Sequence, residues 1–206
     1  RAGSGGADVS IADISIDDVP LVGGKNASLG EMYRELTARG VKVPNGFAIT
    51  AEAYRHLLRE AELEEKIRQT LAGLDTRNME ELRKCGSLIR GLILGASFPR
   101  GLEQEISAAY DTLKGRQLHP VDVAVRSSAT AEDLPDASFA GQQETYLNVQ
   151  GHLELINACL RCFASLYTDR AIAYREANGF EHRQVALSIG VQQMVRSDAG
   201  SAGVMF

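Results

Sequence analysis

VDVAVRSSATAEDLPDASFAGQQETYLNV, residues 121–149, is the stretch that decides the fold class. Its opening, VDVAV, is rich in β-branched apolar residues and reads as a strand ending at Arg126. Its close, ETYLNV, alternates with period two and reads as a second strand. Between them, SSATAEDLPDASFAGQQ is polar and punctuated by Pro and Gly, the composition of a loop.

Upstream of this unit the grammar is helical from Thr50 to Lys114. Thr50 precedes AEAYRHLL as an N-cap, Asn78 precedes MEELRKCGSLIRGLIL, and Pro99 opens RGLEQEISAAYDTL near its first position. Gly73, Gly95 and Gly115 supply stops, so four helices with short links form a helical layer or insert. Further upstream, PLVGGKNASLG at 20–30 is a Gly-rich turn running into a helix of about ten residues that Gly40 closes. Leu29, Met32, Tyr33 and Leu36 recur there at helical spacing as one apolar face, and Asn26 or Ser28 is the expected cap. VPNGFAIT then reads as a turn and a short strand. Downstream, residues 151–179 return to helix, with two segments meeting at Thr168 as N-cap. VALSIGVQQMV and SAGVMF read as strands joined at a hairpin-like SDAG turn, the second one still running at Phe206. A helical run followed by strands gives an α+β fold class.

The 206 residues carry 22 basic against 27 acidic groups, a net charge of −5. That balance argues against nucleic acid or an anionic membrane surface as partner, because both need a basic field. Only five of the cations are lysines, none after Lys114, so an anion site in the second half must use arginine and backbone amides. No apolar run reaches the roughly 18 residues of a spanning helix. The three cysteines, Cys85, Cys159 and Cys162, point to a reducing compartment, and the chain is expected to be cytoplasmic. Cys159 and Cys162 lie in LINACLRCFASLY, apolar at helical spacing and without a second ligand pair, so they read as buried side chains. RAGSGGADVS, small and polar, reads as part of a flexible lead-in or tag remnant over 1–16, with the domain proper at 17–206.

Three groups of residues can carry chemistry. Arg126, at a strand end, projects into a loop of hydroxyls, acids and glycine (Ser127, Ser128, Thr130, Ser138, Glu132, Asp133, Asp136, Gly141), a composition that can wrap phosphates. The same composition also describes an exposed polar loop with an ordinary surface arginine. Lys25 follows Gly23 and Gly24 at a helix start, where a cation and free helix amides can meet a phosphate. The P-loop frame fails, since Val19 stands where the first Gly belongs and Asn26 follows the lysine. Gln192, Gln193 and Met194 lie on an apolar strand, where adjacent glutamines need partners: a base, a ribose, or neighbouring backbone. His56, His119, His152 and His182 are scattered and complete no nucleophile or metal frame.

VGGKNASLGEM at 22–32, VPNGFAIT at 43–50, the 125–149 string, ASLYTDRAIAYREANGF at 164–180 and VALSIGVQQMVRSDAGSAGVMF at 185–206 together resemble the N-terminal nucleotide-binding domain of the phosphoenolpyruvate synthase (pyruvate, water dikinase) family, within the PEP-utilising dikinases. The resemblance covers nearly everything after Asp17, in family order. It implies an ATP-grasp-like fold, mainly the N-terminal subdomain with its helical layer, and a second subdomain that is incomplete. Carried over, Lys25 and Arg126 contact phosphates, and both are expected to be catalytic. Ser138, Gly141 and Thr145 belong in or beside the loop over the nucleotide, Gln192 lies near base or ribose, and Met194 offers backbone to adenine. The family passes the β-phosphoryl of ATP to a histidine on a separate domain and then to pyruvate. The implied partners are ATP, that phosphohistidine domain and a pyruvate-binding domain. Mg²⁺ is implied with ATP, its ligands expected beyond GVMF together with a further arginine. The stretch is therefore expected to be inactive alone and to self-associate through its truncated edge. A rifampicin phosphotransferase, another dikinase, or a non-catalytic interaction module with a degenerate nucleotide fold are the competing expectations.

Overall fold

The computed structural model describes residues 6–115, 119–130, 133–134, 137–138, 144–182, 185–196, 200 and 203. Five strands form one antiparallel sheet: β1 (Asp8–Ser10), β2 (Gly46–Ile49), β3 (Val123–Ala129), β6 (Thr145–Val149) and β7 (Leu187–Gln193), in the order β1-β2-β7-β3-β6. A two-residue ladder, β4 (Asp133–Leu134) with β5 (Ala137–Ser138), lies within the long loop and sets Asp133 opposite Ser138. The fold is α+β. The SDAG turn and the SAGVMF strand lie outside the described residues, apart from the single positions 200 and 203.

One face of the sheet carries the large apolar side chains. Phe47, Ile49, Val123, Val125, Leu187, Ile189 and Val191 pack there with the helices α2 (Ala51–Glu60), α3 (Leu63–Leu71), α4 (Met79–Leu94), α5 (Arg100–Lys114), α6 (Gly151–Ser165) and α7 (Asp169–Ala177) in a single core. The helices form where the local signals say. Thr50 Oγ1 accepts from the Ala53 amide at 3.3 Å, Asn78 Oδ1 from the amides of Glu80 and Glu81, and Thr168 Oγ1 from Ala171 at 3.3 Å. Leu82, Cys85, Ile89 and Ile93 make the buried stripe of α4, and Leu102, Ile106 and Tyr110 that of α5. The Tyr110 hydroxyl donates to Val121 O at 2.7 Å and accepts from the Gly151 amide at 3.0 Å, which joins α5 to the entry of β3 and the start of α6. No described helix is long and apolar enough to cross a membrane.

The other face is covered by α1 (Val19–Thr37), which breaks at Gly23, where φ is +74° and ψ is 161°. Two expectations fail here. The helix is not a ten-residue element capped by Asn26 or Ser28: Asp18 is its N-cap and Asn26 is buried inside it. Nor is Leu29, Met32, Tyr33 and Leu36 its most buried face: Leu29 and Tyr33 pack half-buried beside the cluster under the helix, but Met32 is 47% exposed. The buried stripe has the same period but runs through small residues, Gly23, Asn26, Ala27 and Gly30. The reason is the surface beneath, which offers Ala48, Ser128, Ser188 and Gly190 and admits a helix only at close range.

The lead-in over 1–16 is corrected as well, from Ala7 onward. Asp8–Ser10 pairs with Phe47–Ile49, and the Thr50 amide donates to Ala7 O at 2.9 Å. Ile11 and Ile14 are fully buried with Val22, Ala27 and Ala48 under α1, each worth roughly 1.5–3 kcal/mol of apolar burial. Two isoleucines placed to seal a helix against a sheet outweigh the polar residues around them.

Candidate nucleotide site

Alternation along β7 divides its work. Leu187, Ile189 and Val191 enter the core, so Ser188, Gly190 and Gln192 face the α1 side. Their direct partners on β3 are Ser128, Arg126 and Ala124 in turn. The α1 face is thus a floor of small and polar residues with one arginine in it.

The break in α1 seats its restarted first turn on that floor. At Gly23 the backbone is in the left-handed half of φ space, and an added Cβ would overlap Ser128 Oγ and stand 2.7 Å from Ser128 O. Asn26 fixes the turn: its Nδ2 donates to Val22 O and to Ser188 Oγ, both at 3.0 Å and both buried. Its Oδ1 lies so close over Gly190 that a Cβ there would overlap it. Gly190 is the residue directly opposite Arg126. Lys25 is exposed and sits between Gly24, which is buried, and Asn26. The fold therefore carries the Gly-Gly-Lys turn to the strand pair that holds Arg126.

Arg126 is half-buried in the middle of β3 and not at a strand end as expected, because pairing with β7 carries the strand on through Ser127, Ser128 and Ala129. Its Nη2 donates to Gln192 Oε1 at 2.8 Å, and Gln192 Nε2 donates to Pro44 O at 3.1 Å. This relay orients the guanidinium without neutralising it, and among the described residues no carboxylate pairs with it. Thr145, exposed at the start of β6, is opposite Arg126 on the other side. Among the described residues Ser128 Oγ, buried below Gly23, has no hydrogen-bond partner. Such an orphaned hydroxyl costs roughly 1–3 kcal/mol.

Of the sequence-predicted set, Arg126, Gln192 and Thr145 come together, with the Lys25 turn beside them. Met194 is half-buried just past β7, and its amide is taken by Asp122 O at 2.9 Å. The Gln193 amide donates to Asn45 O at 2.9 Å. Ser138 has only its strand position described, in β5, and Gly141 lies outside the described residues. The base of the long loop is fixed: the Ser127 amide donates to Glu144 O at 3.1 Å, the Glu144 amide to Ser127 Oγ at 3.0 Å, and the Thr130 amide to Ala186 O at 3.1 Å. Sequence reasoning missed Ser188, Gly190 and the pinning role of Asn26. The period-two spacing of Ser188, Gly190 and Gln192 within LSIGVQQ was the available signal.

No described cluster of three or more His, Cys, Asp or Glu residues can hold a metal ion. The cysteines are inert where they lie: burial pushes the thiols of Cys159 and Cys162 far up.

The pyruvate phosphate dikinase AMP/ATP-binding domain family matches residues 19–206. The chain is similar to the phosphoenolpyruvate synthase of Aquifex aeolicus (strain VF5), 55% identical over 195 residues that make up 94% of this chain and 23% of that protein. It is 56% identical over 199 residues to the phosphoenolpyruvate synthase of Synechocystis sp., covering 94% and 24%. The corresponding figures for the phosphoenolpyruvate synthase of Escherichia coli (strain K12) are 51% over 193 residues, 94% and 24%. The chain thus spans about a quarter of the length of these curated relatives. The match takes in α1 with its broken turn, Arg126 and the whole of β7, and the chain belongs to the pyruvate phosphate dikinase AMP/ATP-binding domain family.

Proposed function

We propose that this chain is the ATP-binding part of a phosphoenolpyruvate synthase, an ATP-grasp-like unit in which the strand at Asp8–Ser10 and the buried Ile11 and Ile14 take part. In this reading the β-phosphoryl of ATP passes to a histidine on a separate domain and then to pyruvate, so that ATP, pyruvate and water give AMP, phosphoenolpyruvate and phosphate. The work is intracellular, in the cytoplasm, and the isolated chain is inactive. The observation that carries the reading is the meeting of the Gly23–Asn26 turn with the Arg126–Gln192 relay on one sheet face.

Phosphoryl transfer asks a protein chiefly for positioning and charge neutralisation. Arg126 supplies a guanidinium already oriented by Gln192, so little side-chain entropy is lost when a phosphate replaces solvent. Lys25 supplies a second cation from a turn whose glycines let backbone approach the phosphates. Thr145, Ser138 and Gly141 border the loop that closes over the nucleotide. Gln192, held by Pro44, faces base or ribose. Because the Met194 amide already serves Asp122, its carbonyl oxygen is the group left to accept from the adenine amino group. The described residues offer no ligand set for Mg²⁺.

The test is Arg126→Ala in the full-length enzyme. Phosphoryl transfer falls roughly 10²–10³-fold, the usual cost of one donor to developing charge, while the melting temperature holds. Near-normal turnover removes Arg126 from the site. In this chain, magnesium ATP at millimolar concentration should perturb the NMR signals of Gly23, Gly190 and Gln192. Perturbation elsewhere, or none, defeats the assignment of this face.

A further inference from the structure

A cavity of about 530 Å³ opens within the helical layer, between α2, α3 and the segment leading into β7, and shares no lining residue with the Arg126 site. Leu58, Ile67, Leu71 and Val185 give it an apolar body. Tyr54 and Tyr167 add an aromatic wall, their hydroxyls 3.1 Å apart. Arg55, Arg68, Glu64 and Glu181 also line it, and the balance among these charges decides what the space attracts.

Among the described residues, the guanidiniums that line or back the cavity are answered by carboxylates outside its lining. Arg55 pairs with Glu52 and Arg68 with Glu65, in both cases three residues back along the same helix. Arg175 of α7, only 1% exposed, lies behind the wall with its Cζ 5.3 Å over the Tyr167 ring, and Glu176 is its counter-charge. His182 is spent between those two, its Nδ1 accepting from Arg175 Nε at 2.9 Å and its Nε2 donating to Glu176 at 2.8 Å. Burial holds this imidazole below its usual pKa, so it adds no charge at neutral pH. Glu64 and Glu181 are left over. Both are exposed at the rim of the cavity, and among the described residues neither forms an ion pair. The rim therefore carries uncompensated negative charge, which repels anions and draws a cation.

We infer that this cavity binds a small organic amine, its protonated nitrogen at the rim where Glu64 and Glu181 lie and its apolar body against Leu58, Ile67, Leu71 and Val185. The volume suits such a molecule, and the division of the lining into an apolar interior and a charged rim orients it. The ammonium stays partly in water, so its desolvation cost is small. The apolar body supplies most of the affinity, and the two carboxylates supply the preference for positive charge.

Benzylamine, a cation at neutral pH, and its uncharged analogue benzyl alcohol are the probes, with Kd read from the methyl NMR signals of Leu58 and Val185. Benzylamine binds wild type roughly threefold to tenfold more tightly than benzyl alcohol, the value of exposed ion pairs, and added salt narrows the gap. The double variant Glu64→Gln, Glu181→Gln loses that preference and keeps its affinity for benzyl alcohol. Both glutamates are exposed, so the fold survives their replacement, and an unchanged melting temperature checks this. Leu71→Trp, which fills the cavity from its half-buried rim, abolishes both responses, whereas Arg126→Ala responds as wild type does. The inference is overturned if wild type ignores benzylamine, if the two probes bind equally, or if the preference survives in the double variant. Benzylamine binding that persists unchanged in Leu71→Trp overturns it too, by placing the amine elsewhere.

Discussion

Gly190 and Asn26 occupy one volume between them, which makes their substitutions strongly coupled. A Cβ at Gly190 would overlap Asn26 Oδ1 and come within 3.3 Å of Asn26 Cγ, and its nearest neighbours are all atoms of that one side chain. Gly190→Ala in the native background must therefore push the amide away. Overpacking of this kind costs about 1–3 kcal/mol. The displaced amide also loosens its bonds to Val22 O and Ser188 Oγ, and a stranded buried partner costs about 1–3 kcal/mol more. A total near 3 kcal/mol lowers the melting temperature of a chain this size by about 6–12 °C. Asn26→Ala alone strands the same two oxygens, at about 2–4 kcal/mol. In that background the new methyl at Gly190 enters space the amide has vacated, so the double variant should melt within about 2 °C of Asn26→Ala. Equilibrium melting of the four proteins closes the cycle. Additive losses would refute the placement of Asn26 over Gly190.

Gly23→Ala forces an L-residue to φ +74° and drives its Cβ into Ser128, so the urea midpoint should fall by the equivalent of about 3 kcal/mol at unchanged m; an unmoved midpoint rejects the break in α1. Cys85, Cys159 and Cys162 are all buried with their thiols pushed up, so a thiol reagent at mildly alkaline pH should find none of them until denaturant is added. Rapid native labelling of Cys159 or Cys162 would contradict the buried face of α6. The pKa of His182 is held below its usual 6.5, first by burial and then by Arg175. The unfolded chain therefore takes up a proton there before the folded one does, and stability falls as pH drops below about 6.5. The pH slope of the melting temperature should flatten in His182→Gln; an unaltered slope locates the titrating group elsewhere.

What the sequence made legible is what local chemistry decides. Thr50, Asn78 and Thr168 cap as expected because an N-cap needs only its own hydroxyl or amide and the next turn's N–H groups. The strand–loop–strand of 121–149 was readable for the same reason. The sheet order was not: β7 enters between β2 and β3 across contacts 58 and more residues apart, and nothing local records a partner so distant. The face of α1 was misread because the largest apolar side chains dominate any periodic reading. A helix lying on serine, alanine and glycine instead packs through its own smallest residues, and the same 3.6 period then runs through Gly23, Asn26, Ala27 and Gly30.

The candidate site shows the same division between residue type and placement. Arg126, Lys25 and Gln192 stood out because an arginine after an apolar strand run, a lysine after two glycines and a glutamine in an apolar strand each break a local rule. That Arg126 and Gln192 share a hydrogen bond across 66 positions follows only from the pairing of β3 with β7, which places Arg126 opposite Gly190 and Gln192 one step along the same face. Ser188 and Asn26 broke no rule alone; a serine in a strand and an asparagine near a helix start are ordinary. Their meaning comes from being buried against each other. The two faces of β7 then separate stability from binding: Leu187, Ile189 and Val191 tie the strand to the core, while Ser188, Gly190 and Gln192 are answerable to α1 and Arg126. Asn26 stands across that division, because the bonds that hold α1 down also set where Lys25 sits.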